Sequence, residues 1–231
     1  MGRIGKRLDI DFIVSTDPAF EDSFTKIYTP KSLQKQWYAG KGDAEAQLSP
    51  LLRKVDSRWI CLRSFLVNAD TTPFAEEYFT EKQHSYDWRG VTPQKTYIAK
   101  VLKELESALR QSTAKWKIVV GHHGDTQELI QRLLPILKTC NVDFYMNGHD
   151  HCLEHISDNE SPILFLTSGA GSKAWRGNVK RLNREDVMFF YDGQGFMSVQ
   201  LTQTESVIMF YDVFGTVLHR LTTFRQLHSA I

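Results

Sequence analysis

No apolar run in this 231-residue chain is long enough to cross a bilayer as a helix. Charge of neither sign is in excess: 28 Lys and Arg stand against 27 Asp and Glu, a formal net charge of +1. That balance provides no field for a polyanion and disfavours nucleic acid as a partner. Cysteine is scarce. The three, Cys61, Cys140 and Cys152, are odd in number and widely spaced, so no disulfide framework is implied. Each reads as a small buried apolar residue. Cys152 adjoins His151 but has no second cysteine at zinc-site spacing. Internal repeats, low-complexity segments and linkers are missing too, so residues 1–231 read as a single domain. Behind the basic stretch Met1 to Arg7 lies no apolar signal core, and no export signal is expected from these residues. Asn159-Glu160-Ser161 is a glycosylation sequon, which matters only in a secreted chain.

What the chain does contain is ordinary globular material: 42% hydrophobic and 24% charged residues, enough for a substantial core. Ile10, Phe12, Ile13 and Val14 mark a short buried strand ending at Ser15-Thr16. Asp17-Pro18 opens an expected helix with Phe20, Phe24, Ile27 and Tyr28 as its apolar face. Residues 39–43 form a Gly-rich turn, Trp59 to Val67 reads as a strand, and Asn68 to Pro73 as a turn. Tyr97 to Arg110 is a helix, because Ile98, Val101, Leu102, Leu105 and Leu109 recur at helical spacing. Trp116 to Val120 is apolar enough for a buried parallel strand. Asp125 and Glu128 form a capping box for the next helix, whose core face is Leu129, Leu133 and Leu137 and which Pro135 should kink or shorten. Val142 to Met146 is a second buried strand. Beyond it come five expected strands, Ile163 to Leu166, Val187 to Tyr191, Phe196 to Leu201, Val207 to Asp212 and Val217 to Phe224. Asp192-Gly193 and Phe214-Gly215 are hairpin turns in this reading. The order is mixed α/β first and antiparallel β last.

Histidine is where the chemistry concentrates. Gly121-His122-His123-Gly124 follows the first buried strand, and Asn147-Gly148-His149-Asp150-His151 follows the second. Two parallel strands joined by a helix deliver both clusters to one sheet edge, where ligands of open α/β sheets bind. Neutral imidazoles gathered there point to a metal site. Asp150 is placed to orient a ring. His155 reads as structural, and His84, His219 and His228 lie apart from both clusters. A hydrolytic dinuclear centre needs bridging carboxylate as well. Asp17, just past the first strand, is the best-placed candidate, and Asp43 a weaker one. Both also suit simpler roles, as helix start and turn residue.

Several segments closely resemble plant low-molecular-weight purple acid phosphatases. They include V-V-G-H-H at 119–123, N-G-H-D-H-C-L-E-H at 147–155 and T-S-G-A-G-S-K at 167–173. D-F-I-V-S-T at 11–16, Q-L-S-P-L-L-R-K at 47–54, S-R-W-I-C-L-R-S-F at 57–65 and Y-D-W-R-G-V at 86–91 share the resemblance. It implies a calcineurin-like metallophosphoesterase fold: an α/β four-layer αββα sandwich with mixed sheets and antiparallel strands toward the C-terminus. It also implies hydrolysis of small phosphate monoesters by a metal-activated hydroxide at a dinuclear centre. That centre pairs Fe with a second divalent metal (Zn, Mn or Fe). Secretion or vacuolar delivery and glycosylation are implied as well.

Departures from the family pattern fall on the ligands. No match to the family's iron-binding G-D-x-G is present in these residues. Where the family continues S-T-G-D-N-F-Y, Ser15-Thr16 runs into Asp17-Pro18-Ala19-Phe20, with Phe20 in place of the tyrosine. Where it has G-N-H-D, Tyr38 runs into Ala39-Gly40-Lys41-Gly42-Asp43. Its two G-H-H copies are merged into one, directly followed by Gly124-Asp125. Asn68-Ala69-Asp70 reaches D-T-T-P-F without the apolar strand that precedes it in the family. Carried over residue by residue, His122 and His149 match the second-metal site, His151 the iron site, and His123 a substrate contact or acid. Asp17 stands in for the bridging aspartate. One metal at most is expected from this set, without a tyrosinate-to-iron colour, since Fe(III) prefers oxygen donors. The alternatives are a non-catalytic phosphatase-like binding protein, a weak mononuclear Zn hydrolase on His122, His149 and His151, and a chain destabilised by the missing strand.

Overall fold

The computed structural model describes residues 1–15, 28–39, 58–61, 64–68, 71–76, 93–124, 126–157, 161–171, 173–177 and 185–225. Alternation along two neighbouring strands sets the layers. In β5 (Trp116–Val120), Trp116, Ile118 and Val120 face one side of the sheet and Val119 the other. In β6 (Phe144–Asn147), Phe144 and Met146 share the first side and Tyr145 the second. The two strands run parallel, with Ile118 opposite Phe144 and Val120 opposite Met146. Near-continuous apolar sequence is therefore needed, because both faces are covered.

These strands are central in a seven-stranded mixed sheet. Its other members are β3 (Arg58–Cys61), β4 (Ser64–Asn68), β7 (Leu153–Ser157), β8 (Leu164–Ser168) and β9 (Val187–Tyr191), in the order β3-β4-β5-β6-β8-β7-β9. Strands β4, β5, β6 and β8 are mutually parallel, while β3, β7 and β9 are antiparallel to their neighbours. A three-stranded antiparallel sheet follows, made of β10 (Gly195–Leu201), β11 (Glu205–Asp212) and β12 (Val217–Phe224). Near the N-terminus, β1 (Phe12–Ser15) pairs in parallel with β2 (Gln36–Ala39).

One core lies between the sheets. Trp116, Ile118, Val120, Phe144, Met146, Leu153 and Leu166 meet Ile208 and Phe210 there, with Phe12 and Val14 packed against them. The other core lies under the helices. There α2 (Gln94–Gln111) buries Ile98, Leu102, Leu105 and Leu109 against Val119, Tyr145, Leu129, Leu133 and Leu137. Burying one such side chain stabilises by about 1.5–3 kcal/mol. The fold is mixed α/β, with a mixed sheet and antiparallel strands toward the C-terminus, as the sequence indicates. No helix among the described residues is long and apolar enough to cross a membrane.

Four details differ from the sequence reading. Trp59 to Val67 is not one strand: β3 and β4 pair antiparallel, with Cys61 opposite Ser64. Asp192-Gly193 is not a hairpin turn, because β9 pairs with β7 while β10 belongs to the other sheet. The chain changes sheets there, and the hairpin partner of β10 is β11. Strand β7 escaped notice because it carries Glu154 and His155, both buried. The helix ahead of Pro135 does not stop. It widens to a π-turn over Leu129–Leu133, after which α3 (Leu134–Thr139) takes proline in its first turn. Proline has no N–H to donate and its ring crowds the carbonyl four residues back, and a wider turn relieves both conflicts. The hydroxyl accepting the Leu129 N–H at the helix start is that of Thr126, at 3.3 Å. Asp125 lies outside the described residues, as does the expected helix beginning at Asp17.

Cys140 and Cys152 are both buried, in keeping with their reading as small apolar residues. The short helix α1 (Gly2–Leu8) sits near the β11–β12 turn, where the Arg3 guanidinium donates to the Phe214 carbonyl at 2.8 Å.

Candidate functional site

Because β5 and β6 are parallel neighbours, the loops after Val120 and Asn147 leave the sheet at the same edge. Main-chain hydrogen bonds then join them. The Gly121 N–H donates to the Met146 carbonyl at 2.8 Å. The His122 carbonyl accepts from both Gly148 N–H and His149 N–H, at 3.0 and 2.8 Å. Glycine is required at two points of this junction. A Cβ on Gly121 would lie 2.3 Å from the Tyr145 hydroxyl, and one on Gly169 would lie 2.2 Å from the carbonyl oxygens of Gly148 and Asp150.

Two buried hydroxyls hold the histidine turn from beneath. Thr71 Oγ1 accepts the N–H groups of His122 and His123, both at 2.9 Å, and lies 3.3 Å from His123 Nδ1. Tyr145 donates its hydroxyl to the His123 carbonyl at 2.6 Å. Burial without a charged partner pushes the Tyr145 phenol well above its ordinary pKa, so it stays a neutral donor.

Three imidazoles converge as a result. Ring centroids are 4.9 Å apart for His122 and His123, 5.2 Å for His122 and His149, and 4.5 Å for His123 and His149. One ring nitrogen from each lies within 4.8 Å of the others, a spacing that can hold a metal ion. His122 and His123 are buried, while His149 remains partly open to solvent. His151 stands outside this group. Its ring stacks on Trp175 with centroids 4.5 Å apart and planes at 25°, and its carbonyl accepts the Trp175 N–H at 3.0 Å. Trp175 meets His149 edge-on at 6.0 Å and is 40% exposed. Asp150 Oδ1 is 3.9 Å from His149 Nδ1, a long ion-pair contact beyond hydrogen-bond reach. Asp17 and Asp43 lie outside the described residues.

The donor set decides what fits. Imidazole donors drawn from this group suit one borderline divalent ion such as zinc. Among the described residues the group contains no carboxylate, so it does not fit the oxygen-rich iron(III) half of a dinuclear centre.

No family model matches the chain. Purple acid phosphatase 17 of Arabidopsis thaliana is 54% identical to it over 270 residues, covering 100% of this chain and 80% of that protein. The chain belongs to the purple acid phosphatases. Purple acid phosphatase 4 of the same plant is likewise 54% identical, over 99% of this chain and 78% of that protein. Tartrate-resistant acid phosphatase type 5 of Homo sapiens is 25% identical over 88% of this chain and 72% of its own length. The first alignment is longer than this chain itself, so the plant phosphatase carries insertions with no counterpart here. Solved structures agree on the fold. The purple acid phosphatase PPD1 from yellow lupin seeds superposes with a TM-score of 0.62 at 14% identity, covering 96% of this chain and 48% of that one. GAP50, described as the anchor in the inner membrane complex of Plasmodium, gives 0.72 at 20% identity over 98% of this chain and 82% of that one. The family is one of phosphoric monoester hydrolases, as the names of these relatives state.

Sequence reading found the histidines but missed their supports. Thr71 sat inside a segment read only as a turn, and Tyr145 inside one read only as a strand. Trp175 follows the T-S-G-A-G-S-K segment by two residues, and an aromatic so close to a recognised motif was the available signal.

Proposed function

We propose that this site hydrolyses phosphate monoesters around one divalent ion held by His122 and His149. The convergence of imidazoles at the β5–β6 edge carries the reading. Asp17 is proposed as a further ligand because an oxygen donor would offset the ion's charge, and His151 because it follows His149 on the same loop. Bound there, a divalent ion supplies Lewis acidity and water activation. His123 contacts a phosphoryl oxygen or protonates the leaving oxygen. Trp175, half open beside His149, provides a flat apolar wall that suits an aromatic leaving group. Kinship with the plant enzymes supports secretion or vacuolar delivery of the chain.

An imidazole-only group also favours a second reading, a phosphate-binding protein without turnover. Phosphate release from an aryl phosphate at acid pH, with and without added zinc, separates the two. Zinc-dependent turnover lost in His149→Ala supports hydrolysis. Phosphate binding without turnover assigns the chain to the second reading.

A further inference from the structure

We infer that Thr71 is a positioning residue that fixes the tautomer of His123, keeping the ring proton on Nε2. Thr71 is fully buried and precedes the 3-10 turn Thr72–Phe74, whose Phe74 N–H donates to the Thr71 carbonyl at 3.0 Å. A threonine hydroxyl has two lone pairs and one proton. Both lone pairs are committed, since Oγ1 accepts the His122 and His123 N–H groups at 2.9 Å. Only the hydroxyl proton remains to be placed. Among the described residues the acceptor within its reach is His123 Nδ1, at 3.3 Å.

A ring nitrogen that accepts carries no proton, so neutral His123 carries its proton on Nε2. The opposite tautomer would set an Nδ1–H against a hydroxyl with no lone pair left, in a buried site where an unmade hydrogen bond costs about 1–3 kcal/mol. The 3.3 Å contact is long, and its importance lies in direction more than strength. The His123 carbonyl is tied to Tyr145 and its N–H to Thr71, so the main chain that carries the ring is fixed beside the Thr71 hydroxyl.

The three clustered imidazoles are therefore not equivalent. His122 and His149 are the ligands, and His123 presents an N–H that donates to a phosphoryl or leaving oxygen. The target of that donation rests on the hydrolytic reading above, whereas the tautomer stands without it.

The test is long-range proton–nitrogen NMR on the intact, metal-free chain with labelled histidine, the His123 signal being assigned by its loss in His123→Gln. The Nε2–H pattern is expected for the natural chain and for Thr71→Ser, with a shift toward Nδ1–H in Thr71→Val. An Nδ1–H pattern in the natural chain, or an unchanged pattern in folded Thr71→Val, overturns the inference. If Thr71→Val does not fold, cobalt(II) titration decides. Affinity should survive His123→Gln within about twofold and fall roughly tenfold or more in His149→Gln. Equal losses in both variants contradict the inference. Absence of turnover with the Nε2–H pattern intact would count against the hydrolytic reading alone.

Discussion

The carbonyl oxygen of His122 accepts the main-chain N–H of His149 at 2.8 Å. Two histidines far apart in sequence are thus set by one backbone bond, and their rings meet edge-on with centroids 5.2 Å apart. The site is built by the main chain first, and the side chains inherit its geometry.

Gly121→Ala should consequently disrupt the site from below. Its Cβ would lie 2.3 Å from the Tyr145 hydroxyl and 2.9 Å from Thr71 Cγ2, the two side chains that hold the histidine turn. A cost of about 1–3 kcal/mol is expected for such overpacking. Urea unfolding should show it, and zinc titration should show weakened binding in the variant.

Tyr145→Phe removes the buried hydroxyl that donates to the His123 carbonyl. Destabilisation of about 1–3 kcal/mol is expected, with little change in the unfolding slope. Chemical denaturation measures both.

Acid should weaken the contact between the two sheets. His155 on β7 and His219 on β12 meet nitrogen to nitrogen at 3.1 Å, and His219 stacks on Phe189 with centroids 4.7 Å apart. Burial first, and the neighbouring His219 second, push His155 down from 6.5 to about 4. Burial lowers His219 as well. Between those values the unfolded chain binds more protons than the folded one. Stability is then full above 6.5 and falls as the pH drops toward 4. Thermal midpoints measured across that window should decline, and His219→Gln should flatten the decline.

Arg225→Ala should loosen the C-terminal end of β12. The Arg225 Nε donates to Asp143 Oδ1 at 2.8 Å and its guanidinium lies 5.4 Å from the Trp116 ring centroid. Burial raises the Asp143 carboxyl, opposed by the Lys117 N–H and by Arg225. Without the arginine that largely buried acid loses a charged partner, and a loss of about 1–3 kcal/mol is expected in urea unfolding.

Much of this arrangement was legible in the sequence, for physical reasons. Helix α2 shows itself because four buried residues, Ile98, Leu102, Leu105 and Leu109, recur at helical spacing. Strand β5 shows itself because both its faces are covered. Strand β7 did not, because Glu154 and His155 give a core strand a polar pattern, His155 pairing with a residue 64 positions away. The histidines were legible as a group through two strand-loop junctions. What remained hidden was which imidazole is held by what: Thr71 reaches His123 across 52 positions, and no local pattern announces a contact set by tertiary packing.

Metal binding by the β5–β6 histidines is tested most directly by zinc titration of the purified chain beside its His122→Ala, His149→Ala double variant, with phosphate release followed in the same samples. The expected result is about one zinc per chain in the natural protein and none in the variant, with turnover lost alongside the metal. Equal zinc content in the two proteins, or none in either, would contradict a metal site at that edge.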